Sequence, residues 1–265
     1  MGKPLRVVAV QHAAGSDVAQ NLADLTELLP APGTADLAVL PEVFACRGPH
    51  EVLRRAAEPL DGSIARWLAS EAIRRNCWVL GGSFVEREGD RLFNTSILVD
   101  RQGRQRATYR KIHLFDAALD DCRVVREGDV YTAGETPVWI DIEGWRCGLS
   151  ICYDLRFPEL YRRYQADGAT LLLVPADFMD ATGRAHWEVL VRARAIENQC
   201  FVVAPNQCGI NGSGVKTHGH SLIVDPWGQI LAQADTVPTA LQATLDPALC
   251  AAVRQRLPAW RHRRL

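Results

Sequence analysis

Short apolar runs of strand character alternate with stretches of helical periodicity along almost all of this 265-residue chain, and few architectures accept that pattern. Residues 5–10 (LRVVAV), 35–42 (ADLAVLPE), 77–86 (CWVLGGSFVE) and 92–100 (LFNTSILVD) read as strands. Between the first two, Val18, Leu22, Leu25, Leu28 and Leu29 share one helical stripe, and residues 63–76 repeat the helical pattern. EGDR and DRQGR are hairpin turns, the second leading into QRATYRK. The second half alternates likewise. PVWIDI and WRCGLSI flank an EG turn, 156–168 is a helix ending at Gly168, and TLLLVPA is a buried strand. A 15-residue helix over 185–199, the strand CFVVAPN, a hairpin around DPWG and a last helix over 246–257 complete the chain. Alternation mixed with hairpins predicts an α/β fold with two packed sheets under helices, in a single domain spanning 1–265. Residues 117–134 carry the weakest pattern and read as a long loop, which in a compact domain usually signals function.

Composition removes several classes of function. Hydrophobic residues make up 48% and charged residues 23%, enough for a large core, and a net charge of -1 offers nucleic acid or anionic membrane no general attraction. The one basic concentration is WRHRRL at 260–265, read as a solvated end or, from about 257 onward, a contact with a neighbouring subunit. No apolar stretch approaches the ~20 residues of a membrane span, and the N-terminal run is too short for a secretory signal. The eight cysteines are scattered and form no CxxC pair, so neither zinc nor a dithiol redox centre has its spacing. A cytoplasmic chain with reduced thiols, no metal and no cofactor is the expectation.

Three residues just past strand-like runs carry the chemistry: Glu42 after DLAVLP, Lys111 in TYRKIHLF and Cys152 in GLSICYDLRFPEL. Alone, Glu42 fits a surface carboxylate, Lys111 a solvated edge strand and Cys152 a buried structural thiol. Together they are a base, a cation and a nucleophile, the set needed for acyl transfer through a thioester. Cys152 falls between a strand and a helix starting near Pro158, an elbow that exposes a nucleophile and aims backbone N–H groups at an oxyanion. A helix N-terminus and Lys111 would both favour the thiolate.

These stretches resemble the carbon–nitrogen hydrolases of the nitrilase superfamily over essentially the whole chain, through LPEVF, YRKIHLFD and GLSICYDLRFPEL in that order. TGRAHWEVLVRARAIENQCFVV and GHSLIVDPWGQIL are similar to the subgroup that contains deaminated glutathione amidase and ω-amidase, and the QCG at Gln207–Gly209 inclines toward the former. The resemblance implies a four-layer α-β-β-α sandwich, assembly through outer helices into homodimers or larger oligomers, and a second glutamate in the loop between lysine and cysteine. Glu127 in REG fits that position. One departure stands out: Ala176–Asp177 follows a strand proline where the family commonly has a small residue and then alanine.

The implied reaction is hydrolysis of a terminal amide of a small carboxylate-bearing substrate. Cys152 attacks, Glu42 moves protons, and Lys111 with the Tyr153 N–H stabilises the oxyanion. Glu127 orients Lys111 or the substrate. Arg156, Arg192 and Arg194 are candidates for the substrate carboxylate, although 192 and 194 point to different helix faces. Asp177, Phe178, His186 and Trp187 are candidate pocket walls. Nitrile hydrolysis or acyl transfer by the same three groups is the alternative, disfavoured because Tyr153–Asp154 stands where nitrilases typically carry Trp–Glu. A non-enzymatic scaffold is the third reading, and the intact set of three reactive types argues against it.

Overall fold

The computed structural model describes residues 3–120, 123–211 and 214–264, with side chains for all of these except 118–120, 123 and 124. Two six-stranded sheets lie face to face with helices on their outer faces. The first sheet comprises β1 (Leu5–Gln11), β2 (Leu37–Val39), β3 (Trp78–Glu88), β4 (Arg91–Val99), β5 (Gln105–Arg110) and β14 (Thr239–Leu245), in spatial order β14-β1-β2-β3-β4-β5. The second comprises β8 (Trp139–Ile142), β9 (Trp145–Leu149), β10 (Leu171–Leu173), β11 (Phe201–Ala204), β12 (Leu222–Val224) and β13 (Ile230–Gln233), in order β13-β12-β11-β10-β9-β8. At the centre of each sheet three strands run parallel, β1-β2-β3 and β9-β10-β11, and antiparallel strands flank them.

Period-two alternation explains the layering. Along β1, Val7 and Ala9 face the second sheet, packing with Leu149, Leu171 and Val203. Val8 and Val10 face outward, onto helices α1 (Val18–Leu28) and α3 (Ser63–Arg75), through Leu25, Ile64, Leu68 and Ala72. The outer face of the second sheet is covered by α4 (Pro158–Ala166) and α5 (Asp180–Asn198), which bury Tyr161, Tyr164, Trp187 and Val191. The four-layer α-β-β-α architecture expected from the resemblance is the one observed.

Three segments differ from the sequence reading. Residues 117–134 are not one long loop. Strands β6 (Asp116–Asp120) and β7 (Arg123–Arg126) pair antiparallel, and Glu127 opens a one-turn 3-10 helix after them. Helix α5 starts at Asp180, earlier than expected, and Gly183 in its first turns packs so tightly on His218 that a Cβ would lie 2.4 Å from its side chain. Strand β14 was not anticipated, since TALQATL is a half-exposed edge strand with weak apolar alternation. A short α2 (His50–Ala56) and the C-terminal α6 (Pro247–Arg256) and α7 (Ala259–His262) complete the described elements. Among the described residues, no helix is long and apolar enough to cross a membrane. Of the eight cysteines, Cys122 lies outside the described residues, and the seven others are buried and unpaired.

Candidate active site

Each sheet brings part of the chemistry to the same end of the sandwich. Glu42 follows β2, where a parallel strand ends and ligand chemistry is commonly found. Two features of β3 hold it there. Gly82 passes so close to the turn that a Cβ would meet the Leu40 and Pro41 carbonyl oxygens at 2.0 and 2.1 Å. Ser83 accepts the Val43 N–H through its hydroxyl at 2.9 Å and the Phe44 N–H through its carbonyl at 3.1 Å. Val43 itself sits at φ 47°, a left-handed conformation costly for a β-branched residue.

Lys111 leaves the end of β5, the edge strand of the first sheet, yet its side chain is only 1% exposed. Its ammonium donates to Glu42 Oε1 at 2.8 Å and to Glu127 at 2.9 Å. Asn94 of β4 donates to the same Glu42 oxygen at 2.8 Å, and the Phe115 N–H donates to Glu127 Oε2 at 2.8 Å. Burial opposes the charge on Lys111, but Glu127 and Glu42 outweigh it and hold the ammonium protonated well above the usual lysine range. Burial pushes the Glu127 carboxyl up, against the pull of Lys111.

Cys152 comes from the second sheet, just after β9, at the start of a one-turn 3-10 helix spanning Cys152–Arg156. It has φ 45° and is fixed by its N–H donating to the Pro175 carbonyl at 2.8 Å. Its thiol meets the Glu42 carboxylate and the Asp177 N–H. Burial first, and then the Glu42 charge, push the thiol well above its ordinary range, and Lys111 only partly offsets them. The proton therefore stays on sulfur at neutral pH, next to a carboxylate that can take it.

Asp154, fully buried, joins the two halves. It accepts from the Ile151 N–H at 2.8 Å, the Tyr109 hydroxyl at 2.6 Å and the His113 N–H at 3.0 Å, with His113 Nδ1 at 2.7 Å. One carboxylate thus pins the elbow before Cys152 to both sides of Lys111. Gln207, after β11, donates to the Glu42 carbonyl at 2.9 Å and accepts the Ala14 N–H at 3.0 Å.

A cavity of about 190 Å³ opens over these groups, lined by Glu42, Arg47, Glu127, Tyr131, Cys152 and Asp177 among others. A smaller lobe of about 20 Å³, lined by Tyr153, Arg156, Phe178 and Thr182, shares Phe115, Cys152, Asp177 and Met179 with it. Asp177 is clamped by Arg47, whose Nε and Nη2 donate to its two oxygens at 3.0 and 2.9 Å. Burial pushes the Asp177 carboxyl up while the Arg47 guanidinium opposes the shift.

Of the expected pocket residues, Arg156, Asp177 and Phe178 line this cavity and four do not. Arg194 turns to the Leu155 carbonyl, at 3.0 and 2.8 Å, and to Glu197, bracing the elbow from behind. Trp187 is wholly buried, donates to the His220 carbonyl at 2.7 Å and packs on Phe178 beneath the lobe. His186 is exposed and, among the described residues, reaches Arg156 alone, at 3.3 Å. Arg192 holds the Gly228 carbonyl and Glu188, away from the cavity. Arg47, Asn94 and Gln207 escaped notice as contacts of the site. Asn94 left a trace as a polar residue inside the apolar run LFNTSILVD, and Gln207 as the first residue of QCG. Among the described residues no cluster of side chains is arranged to hold a metal ion.

Comparison with known proteins agrees with this geometry. The family model for carbon–nitrogen hydrolases matches residues 6–255. Deaminated glutathione amidase of Synechocystis is 39% identical over 98% of this chain and 98% of its own length. Among solved structures, the NitFhit protein of C. elegans superposes with a TM-score of 0.92 at 32% identity, covering all of this chain and 66% of that one. A CN-hydrolase superfamily protein of Xanthomonas campestris, solved with an arsenic adduct in its active site, gives 0.88 at 31% identity over 99% of this chain and 98% of its own. The chain therefore belongs to the carbon–nitrogen hydrolase family of the nitrilase superfamily, and is a hydrolase of the amidase type acting on carbon–nitrogen bonds other than peptide bonds.

Proposed function

We propose that Cys152, Glu42 and Lys111 form the catalytic set of an amidase that works through a thioester on Cys152. The observation that carries this reading is the shared Glu42 carboxylate, which meets the Cys152 thiol while Lys111 donates to it at 2.8 Å. As the sulfur attacks the amide carbonyl carbon, its proton passes to Glu42. The carbonyl oxygen becomes an oxyanion. An ammonium has three donors and Lys111 commits two, to Glu42 and Glu127, leaving one for that oxygen beside the Tyr153 N–H. Collapse breaks the carbon–nitrogen bond as Glu42 returns the proton to the departing nitrogen. Water then attacks the thioester, Glu42 takes its proton, and the proton goes back to sulfur as the acid leaves. Glu127 is a positioning residue that acts through Lys111.

The proposed substrate is an amide of a small carboxylate-bearing acyl group, whose nitrogen leaves as ammonia when the amide is primary. Arg156 supports a carboxylate: it lines the lobe beside Cys152, stacks over Phe178 at 5.3 Å and has no carboxylate partner among the described residues. The names of the relatives make deaminated glutathione the first compound to try, followed by the ω-amides α-ketoglutaramate and α-ketosuccinamate. Hydrolysis by the native protein and its loss by at least about a thousandfold in Cys152→Ala, with an unchanged circular dichroism spectrum, is the expected result. Retained turnover in that variant would end the assignment.

The reading also includes a reducing, cytoplasmic setting, favoured by seven buried unpaired thiols, and a homo-oligomer. Exposed Ile196, Leu257 and Trp260, on α5 and the C-terminal segment, support self-association there. A single-protomer mass by light scattering would refute it. No nucleic acid or membrane partner enters the proposal.

A further inference from the structure

Among the described residues, the larger lobe offers an incoming substrate no unpaired lysine or arginine. Lys111 is held between Glu42 and Glu127, and Arg47 is spent on Asp177. Within that second pair the two partners face different surroundings. The Arg47 side chain is 1% exposed and the Asp177 side chain 19% exposed, so the guanidinium lies behind the carboxylate. Its other N–H groups turn to the Cys208 carbonyl and the Thr217 hydroxyl, each at 3.4 Å. Both partners line the cavity, and Asp177 is the more exposed of the two. Each Asp177 oxygen accepts one Arg47 N–H, and a carboxylate has about four acceptor positions, so acceptor capacity remains on the open side. Cys152 and Asp177 line the same cavity, and the Asp177 N–H lies near enough to the sulfur to act on it, which places the carboxylate beside any carbon that sulfur attacks.

Resting on the proposed acyl-enzyme chemistry of Cys152, we propose that Asp177, backed by Arg47, is the specificity-determining residue of the larger lobe. It accepts a hydrogen bond from a hydroxyl or ammonium on the acyl chain and turns away a carboxylate in the same place. The substrate class so defined is amides of hydroxyacyl or aminoacyl groups, with any carboxylate directed to Arg156 in the other lobe. The Arg47 fork aims Asp177 and opposes the upward push that burial gives its carboxyl. A lone carboxylate in a buried wall would neutralise instead.

Four amides with the same four-carbon chain test this: butyramide, 4-hydroxybutyramide, 4-aminobutyramide and succinamate. They end in a methyl, a hydroxyl, an ammonium and a carboxylate. In the native protein the hydroxyl and ammonium amides should exceed butyramide in kcat/KM by about tenfold, the worth of one charge-assisted hydrogen bond. In Asp177→Ala, which frees the Arg47 guanidinium, the ratio of 4-aminobutyramide to succinamate should fall by at least about a hundredfold. Asp177→Asn should keep the preference for hydroxyl and lose that for ammonium. A ratio of rates does not depend on the fraction of variant that folds, so a purely structural ion pair would leave it in place. An unchanged ratio in both variants overturns the proposal. If the native protein cleaves none of the four, the same order is read as affinity to Cys152→Ala by calorimetry, with and without Asp177→Ala. Equal affinity there, including no binding of any of them, also overturns it, whereas the thioester chemistry stands or falls on the native protein's turnover.

Discussion

The proton on the Cys152 sulfur has one carboxylate to go to. With the thiol pushed up by burial and by Glu42, the sulfur becomes nucleophilic only as Glu42 takes its proton. This differs from cysteine sites that hold a preformed thiolate, and the difference is measurable. The rate of iodoacetamide alkylation, mapped to the peptide containing Cys152, should go on rising through pH 9, because the thiolate fraction increases as pH climbs toward a raised pKa. A plateau below pH 8 would show a preformed thiolate instead. At this scale Glu42, Lys111 and Cys152 were legible because a base, a cation and a nucleophile are recognisable by type. Their partners were not. Arg47 and Gln207 reach the site through contacts between distant parts of the chain, |i−j| of 130 for Arg47–Asp177 and 165 for Gln207–Glu42.

Strand β3 shows how an element sets a site that it does not itself contain. The β3–β4 register shifts between Gly81 and Phe84, and in that interval Gly82 and Ser83 cradle the turn that carries Glu42. Gly82→Ala would drive a methyl group into two backbone carbonyls, so the turn must move. The expected cost is about 3 kcal/mol of stability with a larger fractional loss of kcat, read from urea unfolding and steady-state rates. Native stability and turnover in this variant would show that the turn is not held as described. Elements with strong periodicity, such as β1 and α3, were readable from the sequence because burial follows their pattern. The β6–β7 hairpin and β14 were not. Strands β6 and β7 have little apolar alternation, and β14 packs at a sheet edge where most of its side chains are only partly buried.

Across the whole molecule, the distance between base and nucleophile is set by how the two sheets dock. Glu42 and Lys111 belong to the first sheet, Cys152 and Asp177 to the second, and Glu127 follows the hairpin between them in sequence. The docking is fixed by the apolar layer from Leu5, Val7 and Ala9 to Leu149, Leu171 and Val203. Polar clamps at its end are Gln207 on the Glu42 carbonyl, Asp154 between Tyr109 and Ile151, and Gln11 accepting the Ser221 N–H at 2.9 Å. Alternation of strand and helix made the two-sheet class legible, while the clamps arise only once the sheets meet. Two of the six described non-glycine residues at positive φ, Val43 and Cys152, stand where the sheets converge on the cavity.

That convergence is tested most directly by mass. The native protein mixed with an amide that it cleaves, quenched in acid during turnover and weighed intact, should carry one added acyl group on the peptide containing Cys152, removable by hydroxylamine. Turnover with no acyl adduct at any time of quenching, or an adduct on another residue, would contradict the account.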